Sequence, residues 1–135
     1  MHVTSVFVDT SALYALMVSG DCFHKAAVET LAQLERKDAA LISSSFVLQE
    51  TVTLLQARHG MATVRSFHAD FQPLLDIRWI EATLYERALA ALLASGSRQV
   101  SLTDWSSFEV MRSEALDTAF AFDPHFQRQG FTLLP

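Results

Sequence analysis

The chain has 135 residues, half of them hydrophobic, so it can bury one core without disulfide support and leaves no room for a second domain. Its net charge of −5 argues against a protein that coats nucleic acid by bulk electrostatics, and its single cysteine, Cys22, excludes an internal disulfide or a cysteine-based metal motif. No apolar run is long enough to cross a bilayer and no cleavable leader pattern opens the chain, so a cytoplasmic protein without membrane contact is expected, with Cys22 as a packing residue.

The elements alternate from the start. Val3 to Val8 is a β-branched and aromatic run, a candidate buried strand that stops at Asp9. Thr10 or Ser11 can cap a helix carrying Ala12, Leu13, Ala15 and Leu16, which Gly20 would end. Asp21 can cap a second helix, with Ala26, Ala27, Leu31 and Leu34 at helical spacing up to Glu35-Arg36-Lys37. Ala39 to Ile42 reads as a strand, Ser44 or Ser45 opens a helix to about Arg58, and Ala62 to Phe71 is helical. A strand at Asp76 to Ile80 precedes the strongest helical segment, Ala82 to Ala94. Trp105 to Ser113 is a further helix, and Thr118 to Phe122 and Phe131 to Leu134 are the last strands. The four glycines, Gly20, Gly60, Gly96 and Gly130, each fall just past a proposed helix, where a positive φ is wanted. This alternation predicts one α/β domain over residues 1–135, a sandwich around a mostly parallel sheet.

Parallel sheets bind ligands at the carboxyl ends of their strands, and two acids stand there. Asp9 follows Val6-Phe7-Val8, and Asp123 follows Phe120-Ala121-Phe122; if the two strands are neighbours, both carboxylates emerge at one edge. Glu50 shares a helical face with Phe46, Val47 and Leu54, where a carboxylate needs a cation or a donor. Asp104 stands where Ser101-Leu102-Thr103-Asp104-Trp105 opens a helix. Each has a plainer reading: Asp9 and Asp104 as helix caps, Asp123 as a turn residue before Pro124, Glu50 as a solvated border.

Their coincidence favours a shared crevice. Two carboxylates about 4 Å apart repel by roughly 4 kcal/mol at an effective dielectric near 20, so a cluster of four calls for protons or a hard divalent cation. All-oxygen ligation favours Mg²⁺ or Mn²⁺ over zinc, and one or two such ions would bring the charge from −5 to about −3 or −1.

Taken in order, Val6-Phe7-Val8-Asp9-Thr10-Ser11, Gln49-Glu50-Thr51, Leu102-Thr103-Asp104 and Phe122-Asp123-Pro124-His125-Phe126 make the sequence resemble the PIN-domain nucleases, specifically the toxins of VapBC-type toxin–antitoxin pairs. The resemblance implies a three-layer sandwich with about five strands and an Mg²⁺- or Mn²⁺-dependent endoribonuclease. It further implies inhibition by a small antitoxin, and a homodimer. Asp9, Glu50, Asp104 and Asp123 are then the catalytic residues, with Asp9, Asp104 and Asp123 holding the metal, and Ser11 orienting Asp9 or capping its helix. Asp21 and His24 match a frequent feature of the family, though capping and exposure also explain them. Pro124 and His125 depart from its usual last motif, and Asp117, placed before its strand, should face the opposite edge. Arg58, Arg65, Arg112 and Arg128 are candidates to hold RNA backbone. The alternative is a non-catalytic PIN-like module that binds protein or RNA. A phosphotransfer enzyme is disfavoured because the only lysines, Lys25 and Lys37, come early in the chain, and no Gly-x-Ser-x-Gly or His-Glu-x-x-His motif is present.

Overall fold

A computed structural model describes residues 4–135. Five parallel strands, β1 (Ser5–Val8), β2 (Ala40–Ser44), β3 (Asp76–Arg78), β4 (Thr118–Phe120) and β5 (Thr132–Leu134), form one sheet in the order β3-β2-β1-β4-β5. Val3, the expected start of the first strand, lies outside the described residues. The helices α1 (Thr10–Met17), α2 (His24–Arg36), α3 (Ser45–His59), α4 (Met61–Ser66), α5 (Ala82–Ser95), α6 (Leu102–Ser113) and α7 (His125–Arg128) flank it. The sheet is wholly parallel, and its core is apolar on both sides. Phe7 and Phe120, fully buried in adjacent strands, share that core with Phe67, Phe108 and Phe126 from the helical layers.

The topology decides where a site can form. β1 pairs with β2 on one side and β4 on the other, with Phe7 opposite Ala119 and Val8 opposite Phe120. The chain order therefore reverses between β1 and β4, and the crevice beyond their carboxyl ends is where open α/β sheets bind ligands. Asp9 and Asp123 flank that crevice.

Several boundaries differ from those read in the sequence. Asp9 itself caps α1, which ends at Met17; Gly20 lies beyond it and is the one glycine without a positive φ. Phe23 caps α2 in place of Asp21, and α6 starts at Leu102 behind a Ser101 cap. The last turns of the expected Ala62–Phe71 helix widen into a π-helix at Phe67–Phe71, followed by a 3₁₀ turn at Gln72–Leu74. Cys22 is exposed, so it does not pack in the core.

At the rim away from the crevice, three returns from helix to strand use one device. Asp38, Ala115 and Gly130 adopt positive φ (53°, 54° and 92°), and the next amide reaches back five residues: Ala39 N–H to Leu34, Leu116 to Met111 and Phe131 to Phe126. This is the six-to-one bond that closes a helix through a left-handed residue.

Candidate active site

Asp9 is held from three directions. Its amide donates to the Phe120 carbonyl at 3.0 Å, which anchors it to β4, and the Ser43 hydroxyl binds the carbonyl of Val8 at 2.8 Å from the β2 side. Its Oδ2 accepts from Ser11 N–H at 3.2 Å and from Ser11 Oγ at 2.7 Å. The Ser11 hydroxyl, its single proton given to Asp9, accepts in turn from Phe122 N–H at 2.9 Å. Ser11 thus links the two strand ends that carry Asp9 and Asp123, and it caps no helix, because Asp9 does.

Asp104 is the third residue of α6 and closes a capping box. Its Oδ2 accepts from Ser101 N–H at 3.0 Å while Ser101 Oγ accepts from Asp104 N–H at 3.1 Å. Asp123 Oδ1 accepts from His125 N–H at 2.9 Å, the bond that turns the chain into α7. The plainer readings of the three aspartates are therefore realised, each on one oxygen. One oxygen of each aspartate organises local backbone; the other has no hydrogen-bond partner among the described residues.

These side chains share one cleft of about 530 Å³, lined by Asp9, Thr10, Ser11, Tyr14, Asp21, Phe23, Glu50, Leu54, Arg58, Ser101, Asp104, Phe122, Asp123 and Pro124. Glu50 and Leu54 enter it from α3, on the shared helical face that their spacing indicates. The four predicted acids are all present in it. Their mutual charge is felt: Asp9, 3 % exposed, is pushed up to about 7 mainly by burial, with Asp104 and Asp123 adding repulsion and the Ser11 bonds opposing it. Asp104 is also raised, again mainly by burial, with Asp123 and Glu50 contributing.

His125 joins the cleft's acids although the sequence marks it only as a departure from the family's last motif. One ligand atom each of Asp104, Asp123 and His125 lies within 4.8 Å of the others, and His125 Nε2 is 3.6 Å from Asp123 Oδ1. The signal was its position two residues after Asp123, where an Asx turn brings a side chain back beside the acid. Of the four candidate arginines, Arg58, Arg65, Arg112 and Arg128, only Arg58 lines the cleft. Arg112 bonds Gln129 and stacks on Phe131, and Arg128 approaches His125. Asp117 accepts from its neighbour Thr118 and lies outside the cleft.

A divalent cation fits Asp104, Asp123 and His125, whose ligand atoms converge, while Asp9 lines the same cleft outside that group. The donors are hard carboxylate oxygens with one imidazole, and burial and neighbouring acids have raised Asp9 and Asp104. Buried beside Asp9, the Thr10 hydroxyl has no partner among the described residues.

Comparison with known proteins agrees with this geometry. The family model for the PIN domain matches residues 6–132. The 23S rRNA-specific endonuclease VapC20 of Mycobacterium tuberculosis is 35% identical over 127 residues, 93% of this chain and 95% of that protein. The crystal structure of Mycobacterium tuberculosis VapC20, described as a sarcin-ricin loop cleaving toxin, superposes with a TM-score of 0.83 at 34% identity, over 94% of this chain and 96% of that one. The fold is also that of VapBC2 from Rickettsia felis, bound to a DNA fragment from its promoter (TM-score 0.71, 16% identity, 96% and 97% covered). With the family's pattern matched from β1 to β5 around an acid-lined cleft at the sheet's reversal point, the chain belongs to the PIN-domain family.

Proposed function

We propose that this protein is a metal-dependent endoribonuclease that hydrolyses RNA phosphodiester bonds, acting as the toxin of a toxin–antitoxin pair. The observation that carries the reading is the convergence of Asp9, Asp104, Asp123 and Glu50 in one cleft, with Asp9 left at about 7 by burial and like charge. Kinship with VapC20 supports the nuclease class and makes the sarcin-ricin loop of 23S rRNA the first substrate to test.

Asp9, Asp104 and Asp123 would hold Mg²⁺ or Mn²⁺, with His125 beside the last two. When bound, the cation supplies positive charge against the developing charge on the phosphodiester and acidifies water for attack. The protein's own residues do the rest. Glu50, facing Asp104 from α3, accepts a proton from the attacking water and aims it in line with the leaving 3′-oxygen. Ser11 keeps Asp9 turned toward the β1–β4 crevice, and Arg58 offers the cleft its single arginine for an adjoining phosphate. Attack on phosphorus breaks the P–O3′ bond and leaves a 5′-phosphate and a 3′-hydroxyl.

The same reading includes a small antitoxin covering the cleft, as the toxin–antitoxin relatives suggest, and a homodimer, for which the exposed apolar Trp79 and Leu93 offer surface. Light scattering of the purified protein tests the dimer. For the chemistry, Asp9→Asn and Asp104→Asn are assayed on labelled RNA with Mn²⁺ and Mg²⁺. Cleavage should fall on the order of a hundred-fold or more in each; cation-dependent cleavage that persists in either folded variant refutes the mechanism.

A further inference from the structure

The cleft contains an aromatic pair that the hydrolytic chemistry does not use. Phe23 and Phe122 stack face to face, with ring centroids 4.6 Å apart and planes 14° from parallel. Phe122 covers one face of Phe23, yet Phe23 remains 46 % exposed and lines the cleft. An exposed phenylalanine is ordinary by itself, but this one is held in place. Asp21 Oδ2 accepts from Phe23 N–H at 2.9 Å, His24 Nδ1 donates to the Ala15 carbonyl at 2.7 Å, and Phe122 N–H is bound by Ser11. Phe122 is also tied to groups that position the acids, because it immediately precedes Asp123 and shares Ser11 with Asp9.

We propose that the Phe23–Phe122 pair is a stacking platform for one unpaired nucleobase next to the scissile phosphate. The proposal rests on the ribonuclease reading and names how that substrate is gripped. A cleft lined by five acids, in a chain of net charge −5, gives a polyanion little electrostatic affinity away from the cation. A neutral base meets no such repulsion, and every base has a π-face that a fixed aromatic ring can take. The platform therefore selects RNA whose base is already out of a helix, as in a loop, and sets the register of cleavage by placing that base beside Asp123.

The test measures KM and kcat for a short single-stranded RNA and for the same RNA carrying an abasic residue on either side of the cut. Phe23→Ala should raise KM on the order of ten-fold or more with little change in kcat, and Phe23→Trp should restore it. At one of the two abasic positions the wild-type protein should lose as much as Phe23→Ala does on intact RNA, with no further loss when both changes are combined. Unchanged melting temperature excludes misfolding. Wild-type KM in both Phe23→Ala and Phe23→Leu overturns the platform while leaving the nuclease intact, and a defect confined to binding a protein inhibitor reassigns the pair to that partner. Absence of cation-dependent cleavage by the wild-type protein overturns the platform together with the reading beneath it.

Discussion

Asp9 has a raised pKa in the folded chain, so its burial opposes folding wherever it is charged. The stability it allows is fully present below 3.8 and is lost as pH rises through about 7. The loss amounts to about 4 kcal/mol for a displacement of this size. Melting curves from pH 4 to pH 8 in chelator should therefore show falling stability; Mn²⁺ should restore it at the alkaline end, and Asp9→Asn should flatten the slope. The Ser11 bonds pull in the opposite direction, so Ser11→Ala should move metal uptake to higher pH, as read by calorimetric titration across pH. His125 would add an imidazole to the proposed oxygen site, and nitrogen ligation suits Mn²⁺ better than Mg²⁺. We expect His125→Ala to weaken Mn²⁺ binding about ten-fold, with a smaller effect on Mg²⁺; equal losses would remove His125 as a ligand.

Helix α6 places Asp104 through its first turn, so the cap and the proposed chemistry are coupled in one element. Removing the Ser101 hydroxyl should cost about 1 kcal/mol, seen as a lower denaturation midpoint, and should loosen Asp104 enough to reduce cleavage as well. At this scale, alternation and strand-end acids were legible in the sequence because buried parallel strands are continuous apolar runs that stop where polar chain begins. The ends were less so. Phe122 reads as strand, yet its amide leaves the ladder for Ser11, so β4 closes at Phe120. Asp21, Asp104 and Asp123 looked like caps or turn residues, and composition could not show that one oxygen of a carboxylate caps while the other faces a crevice. Four-residue α7 is too short for any periodicity, so the spacing of His125 from Asp123 is the one cue to the turn that brings its side chain back.

Across the whole molecule, Phe108 binds the layers beneath the site. Its ring lies edge-on to Trp105 and Phe126, at centroid distances of 5.4 and 5.1 Å, and 6.0 Å from Phe131 beside β5. Phe108→Ala should destabilise the protein by about 3–5 kcal/mol, measured by denaturant titration, with loss of activity following loss of fold. Because every strand runs the same way, the left-handed turns at Asp38, Ala115 and Gly130 stand a full strand length from the acids. The helix-closing turns and the acid-lined cleft therefore lie at opposite poles. A dye, a surface tether or a spliced-in reporter attached at the Asp38 pole would leave the mouth of the cleft unshadowed.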